Sequence, residues 1–315
     1  MKISPLFANY KFAFTLHRVK VNGGQLSSHA PAFKVLTSAI LFGTVGTAIA
    51  YAPANAGGSA LGIGRLAIGA LLLIIFLPIF GGRRRNVARH IRKRTVFFMA
   101  LGAAAFQPFF FTATTSNGVA LSTLLAVGCI PIFTGILSAI IFHEKFSTLW
   151  FAATALAILG LALRFWGEIK VESTFGIFMA FGAGFSVAVY VNAAKIALKR
   201  GDNPIELTST AYLLGSLFLA PLIIFEDLTW IASWRGVAVV LFMGAITMAL
   251  ANVFQIYGLR KMSPSSAGTL ALAEPLTATL LGVILLGETL TGISIIGLAL
   301  VSAALIWLSL GSKSE

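Results

Sequence analysis

P-I-F-T-G-I-L-S-A-I-I-F-H-E, from Pro131 to Glu144, and P-L-T-A-T-L-L-G-V-I-L-L-G-E, from Pro275 to Glu288, share one layout: a proline, twelve mostly apolar residues and a glutamate. An offset of 144 residues superposes them, and it also brings Ser122 onto Ser266 and Leu137 onto Leu281. The match reads as an internal duplication, and a repeat constrains the architecture before any single helix is argued.

The surroundings of these stretches set the class. Of 315 residues, 58% are hydrophobic and 10% charged, whereas charged residues make up about 25% of a soluble domain. The composition implies an all-α integral membrane protein with the lipid bilayer as its medium. The net charge of +13 does not indicate a nucleic-acid partner, because the basic residues sit between apolar runs rather than interleaved with aromatics on a folded surface. One cysteine, Cys129, lies in an apolar run, so no disulfide framework or thiolate metal cluster is expected. No cofactor or metal is expected either.

A helical span needs about 20 predominantly apolar residues. Ten candidates run 35–52, 64–80, 96–113, 119–142, 148–165, 174–197, 209–225, 236–258, 265–287 and 291–310. Residues 1–34 form a basic cytoplasmic tail, with Lys2, Lys11, Arg18, Lys20 and Lys34 and no continuous apolar run, and 311–315 a short cytoplasmic one. A disordered tail or a misassigned start codon is the leading reading of this segment; Phe7, Tyr10, Phe12 and Phe14 allow a segment lying on the membrane surface as the alternative.

Cytoplasmic loops carry the excess of lysine and arginine. With both termini inside, 19 of the 23 basic residues fall on cytoplasmic segments, leaving Arg65, Arg164, Lys170 and Arg235. The loop G-G-R-R-R-N-V-A-R-H-I-R-K-R, 81–94, holds seven. Tryptophans prefer the two interfaces: Trp150 and Trp307 fall at inner ends, and Trp166, Trp230 and Trp234 at outer ones. The span with Pro131 then runs inward and the span with Pro275 outward, so the chain is two inverted five-helix repeats, 35–166 and 174–310. A weaker echo at an offset of 139 pairs F-G-T-V-G-T-A-I-A-Y, 42–51, with F-G-A-G-F-S-V-A-V-Y, 181–190.

The paired proline-to-glutamate stretches, the second preceded by L-A-E, together with G-I-G-R-L-A-I-G-A-L-L-L around Arg65, resemble the drug/metabolite transporter superfamily. The likeness is to its ten-helix branch of two EamA-type repeats and covers residues 35–310. It implies a transporter of small metabolites such as amino acids, nucleobases, sugars or drugs, commonly moved outward, and a bacterial plasma-membrane protein with multiple passes. The first copy departs at two points: Ile130 stands where the second has Glu274, and His143 where the second has Gly287.

Glu274 is the acid that stands out, near mid-bilayer, where a carboxylate is costly unless paired, wetted or protonated. It is a candidate for substrate binding and for proton coupling; a protonated structural hydrogen bond is the alternative. Pro131 and Pro275 each remove a backbone donor inside a span and are candidate hinges or packing features. Glu144 and Glu288, just past their helices, are read as partners of a basic residue or as caps, beside Ser147, Thr289 and Thr291, and secondarily as gating groups. Gln107, Tyr190, Asn252, Gln255 and Ser266 complete the candidate substrate site, with Ser186, Asn192, Tyr257 and Thr269 as further polar residues within spans. Amides and hydroxyls also join helices in membranes, so either role is open for each. Lys195 is expected to snorkel to the headgroups, and Arg65 to meet a lipid phosphate, Glu226 or Asp227, with attraction of an anionic group as the alternative.

The leading reading is a secondary transporter, an exporter of small polar metabolites working by alternating access at a midplane site between inverted repeats, as a monomer or homodimer. An intramembrane enzyme would need acids, histidines or metal ligands at depth, and His17, His29, His90 and His143 lie in tails or loops. No P-loop is present. A channel or lipid scramblase is the third class.

Overall fold

The computed structural model describes residues 26–91 and 93–311. The first part of the expected basic tail, Arg92 and the last four residues lie outside that set.

All regular structure among the described residues is helical. In hydrocarbon no water satisfies the backbone, and a helix bonds its own N–H and C=O groups. The elements are α1 (Leu26–Ala50), α2 (Gly58–Phe76), α3 (Arg84–His90), α4 (Arg94–Phe142), α5 (Thr148–Arg164), α6 (Thr174–Lys199) and α7 (Pro204–Leu219). They continue as α8 (Trp234–Phe242), α9 (Ala251–Leu259), α10 (Pro264–Leu270), α11 (Ala273–Leu286) and α12 (Gly292–Gly311). A π-helical stretch, Met243–Leu250, joins α8 to α9. Helix α1 starts at Leu26, ahead of the expected 35, and buries Ala32 and Val35. Among the described residues eight helices are long and apolar enough to cross a membrane, with Thr148–Arg164 as a shorter apolar one.

At 49 residues α4 is the exception in length. Straight, it would extend about 74 Å, against a hydrocarbon core of about 30 Å. At Gly118 the backbone takes φ 75°, ψ 167°, and the chain reverses there. Along 94–117 residue numbers rise as those on α6 fall: Gly102 lies on Ser186 and Tyr190, Phe109 on Gly182, and Asn117 on Gly176. Beyond Gly118 they rise together, with Ala126 on Gly184 and the Asn192 amide donating to the Thr134 carbonyl at 3.4 Å. The two limbs are a helical hairpin clasping α6. Asn117 closes the turn, its Oδ1 accepting from the Glu172 and Ser173 amides at 2.9 and 2.8 Å.

Packing follows the duplication. α1 lies against α9 and α11 and α6 against both limbs of α4, while α2 packs on α7 and α5 on α12. Exchanging the copies leaves this set of neighbours unchanged. Gly160 and Gly297 let α5 and α12 touch backbone to backbone.

The connections sort into two ends. At one, Asn55 Nδ2 reaches Asp227 at 3.1 Å, Asn117 holds 172–173, and Ser294 Oγ donates to the Arg164 carbonyl at 2.9 Å. At the other, Arg83 N and Asn86 Nδ2 donate to Glu206 at 2.7 and 3.0 Å, Lys93 pairs with Asp202 at 2.5 Å, and Ser265 donates to Glu144. Among the tryptophans Trp166, Trp234 and Trp307 are exposed, whereas Trp150 and Trp230 are buried, Trp150 stacked on Phe146 with centroids 4.4 Å apart. Cys129 is half-buried.

Candidate functional site

The segment from Ser263 to Leu286 is not one helix. After α10 the chain makes a turn at 271–272, with Leu272 N donating to Thr269 O and Glu274 N to Ala271 O. α11 then begins two residues ahead of Pro275. This differs from a kink within a continuous span. First-turn N–H groups have no intrahelical partner, so proline costs little there. The positive end of the new helix also favours a carboxylate, and Glu274 occupies that turn. Gly43 of α1 lies directly on the Glu274 carbonyl and Thr277. The first copy has no such break: Pro131 remains inside helix, with Thr134 Oγ1 donating back to the Ile130 carbonyl at 2.6 Å.

Glu274, half-buried, lies within electrostatic range of Arg65 of α2. The two attract each other electrostatically, yet among the described residues no ion pair within 4.0 Å includes either. Arg65 is 7% exposed, Nη2 donates to Gln107 Oε1 at 3.3 Å, and Nε is buried without a partner. Its position is a correction: it points into the protein, and Asp227 instead holds Asn55 and Thr229. Tyr190 and Tyr212 stack at 6.0 Å, the Tyr190 hydroxyl lies 3.5 Å from Asn252 Oδ1, and Tyr212 interacts with Tyr190, Asn252 and Arg65. Asn252 lies two residues past the end of the π-helical stretch, and its amide donates to the Met248 carbonyl at 3.0 Å. One site therefore gathers Arg65 and Gln107 from the first copy with Tyr190, Tyr212, Asn252 and Glu274 from the second.

Tyr212 was not singled out by sequence, although a tyrosine within an apolar span was the available signal. Gln255, half-buried one turn past Asn252, is joined to the network by no hydrogen bond among the described residues. Ser266 lies elsewhere, at the start of α10, with Ser263 Oγ donating to it at 3.1 Å. Glu144 is there too, bridging the copies by accepting from Ser138 of α4 and Ser265 of α10. Its counterpart Glu288 is exposed and folds over Gly282, whose carbonyl accepts the Glu288 amide at 3.1 Å. Ser147 and Thr291 do cap α5 and α12, accepting from Trp150 N at 3.1 Å and Ser294 N at 3.2 Å. Lys195 does not snorkel. It is 3% exposed and donates to the Leu259 and Met262 carbonyls at 3.1 and 2.7 Å, closing the end of α9.

The model of the EamA-like transporter family matches residues 30–166 and 174–310, one copy each. The chain belongs to the EamA-like transporter family. This EamA-like protein is 36% identical over 252 residues to YwfM, an uncharacterized transporter of Bacillus subtilis (strain 168), covering 79% of this chain and 83% of that one. It is 29% identical over 248 residues to an uncharacterized transporter of Archaeoglobus fulgidus, with coverage of 79% and 84%. It is 26% identical over 224 residues to the threonine/homoserine exporter RhtA of Escherichia coli (strain K12), with coverage of 70% and 71%. A crystal structure superposes with a TM-score of 0.76 at 19% identity, covering 88% of this chain and 96% of that one, and supports the fold alone.

Proposed function

We propose that this EamA-like chain is a secondary transporter that exports small polar metabolites, of the amino-acid type, by alternating access at the Arg65–Glu274 site. The observation that carries the reading is a buried arginine, Arg65, whose Nε has no partner, within electrostatic range of Glu274 of the other copy, which stands at the start of a helix interrupted at 271–272. Broken helices at the repeat interface are where many secondary transporters bind. Similarity to RhtA supports export of a small metabolite.

The membrane arrangement is part of the proposal. The reversal at Gly118 makes two spans of α4, which with the short α5 gives ten, and two inverted repeats with boundaries at 35–166 and 174–310 follow. The end holding the basic 83–94 segment is cytoplasmic by the positive-inside rule, and both termini lie on that side. Bacterial relatives support a bacterial plasma membrane. Pro131 and Pro275 serve as hinges, and Glu144 with Ser138 and Ser265 as an inner gate that Glu288, over a glycine, does not mirror.

Purified protein in proteoliposomes loaded with unlabelled L-threonine, homoserine or other neutral amino acids should accumulate the labelled solute in counterflow. Saturable uptake is expected; a non-saturating conductance would sink the transporter reading in favour of a channel. Glu274 is also the proposed proton carrier. With Glu274→Gln, flux driven by a pH gradient should fall at least tenfold while exchange persists, and unchanged driven flux would remove the coupling role.

A further inference from the structure

We infer that a cavity at the cytoplasmic end, between the two copies, binds the phosphate of an anionic phospholipid through Arg83, Arg89 and His90. This goes beyond the transporter reading and takes from it only which end faces the cytoplasm.

The cavity, about 570 Å³ in volume, has one wall from 81–93 of the first copy and the other from 201–206 of the second. Its acids already have partners. Both oxygens of Glu206 accept from Asn86 Nδ2, at 3.0 and 3.2 Å, one of them also accepts from Arg83 N at 2.7 Å, and Asp202 is paired with Lys93. Two of its cations do not. Arg83 and Arg89 line the same cavity with exposed side chains, and among the described residues neither enters an ion pair. His90, 5% exposed, is a third lining residue, and its Nδ1 is buried without a hydrogen-bond partner. A buried polar atom ordinarily has one, and a phosphate held by the two guanidinium groups would offer Nδ1–H an acceptor oxygen.

Free phosphate has the same oxygens, but the surroundings favour a lipid. The segment 83–94 carries seven basic residues, at the surface where a cytoplasmic leaflet concentrates negative charge and where basic pockets between helices take phosphate-bearing headgroups. One turn past Lys93 on α4, Phe97 packs edge-on against Phe218 of α7 with centroids 5.9 Å apart, and both rings are exposed. The helices that wall the polar cavity therefore continue into an exposed apolar surface, which matches a ligand with a charged head and acyl chains. Bound phosphate also adds a negative charge beside His90, which Asp202 and Glu206 already face and Lys93 and Arg89 oppose. The imidazolium is then favoured, so binding takes up a proton and tightens as pH falls.

The test is a titration of the delipidated full-length protein in detergent, followed by its melting temperature. The probes are dioleoylphosphatidylglycerol, dioleoylphosphatidylcholine as a lipid of the same chains without net charge, and glycerol phosphate as a soluble head. Phosphatidylglycerol should raise the melting temperature saturably, and the other two should not at the same concentration. An equal rise with phosphatidylcholine would mean general solvation by lipid, and an equal rise with glycerol phosphate would assign the site to a soluble phosphate; either overturns the inference. Arg83→Gln combined with Arg89→Gln should raise the half-maximal phosphatidylglycerol concentration at least tenfold, a loss of about 1.4 kcal/mol, while the melting temperature without lipid stays the same. Arg260→Gln combined with Lys261→Gln removes as much charge from exposed positions of another connection at that end, and it should bind as the wild-type protein does. Equal weakening by the two double variants would mean unspecific attraction and overturns the site. From pH 7.5 to 6 the affinity should rise in the wild-type protein and stay constant in His90→Gln; a wild-type affinity that does not change overturns the role given to His90. None of these readouts uses transport, so failure here leaves the transporter reading in place.

Discussion

Lys195 and Arg65 show what a single residue's position in a sequence leaves open. Both stand near the ends of apolar runs, where long cationic side chains ordinarily reach the headgroups. Lys195 instead supplies donors to the Leu259 and Met262 carbonyls, which the end of α9 leaves without helical partners. Replacing it with methionine keeps the length and removes the donors. Lys195→Met should lower stability by about 1–3 kcal/mol, read as a lower melting temperature in detergent, with counterflow at low temperature retained. Arg65 turns inward for a related reason: Gln107 offers it an acceptor and Glu274 a field of opposite sign. Neither partner is within 40 residues along the chain. Glu274 itself was legible, since an acid deep in an apolar run stands out by cost alone.

Elements were more legible, and their exceptions lie at glycine, proline and short basic segments. The hairpin at Gly118 uses φ 75°, ψ 167°, a region essentially restricted to glycine. Gly118→Ala should cost about 1–3 kcal/mol and lower the melting temperature, with Gly46→Ala, which meets nothing within 4 Å, as the neutral control. The short α3 and the residue before it dock on α7 through Glu206, 4% exposed and bonded by Arg83 N and Asn86 Nδ2. His90 is buried in that contact, its Nε2 3.5 Å from Glu206. Burial, then Lys93, holds its pKa below the ordinary 6.5, with Arg89 adding to the effect and Asp202 and Glu206 opposing it. A depressed folded pKa means the neutral ring is favoured, so the contact is fully stable above 6.5 and loses stability as pH falls below it. Protection against hydrogen exchange at 83–91, taken relative to the intrinsic rate at each pH, should fall between pH 7 and 5, and His90→Gln should flatten that dependence.

For the whole molecule, the contacts between connections bear on sidedness. Asn55 meets 227–229 at one end and Glu206 meets 83–90 at the other, so every second connection shares an end. In a Cys129→Ala background, Ile91→Cys should react with a membrane-impermeant maleimide only in inside-out vesicles, and Leu228→Cys only in right-side-out ones. Labelling of both from one side would contradict the ten-span arrangement. The sequence by itself determined the apolar helices, the membrane class, the duplication and the family, because bilayer thickness and the loss of backbone solvation impose lengths and compositions that are local and repeat along the chain. Tertiary structure alone brought the candidate site together. Arg65, Gln107, Tyr190, Tyr212, Asn252 and Glu274 come from six segments, and no periodicity records which polar side chain faces which. Close packing of the two copies sets that choice, together with a helix that breaks in the second copy and stays intact in the first.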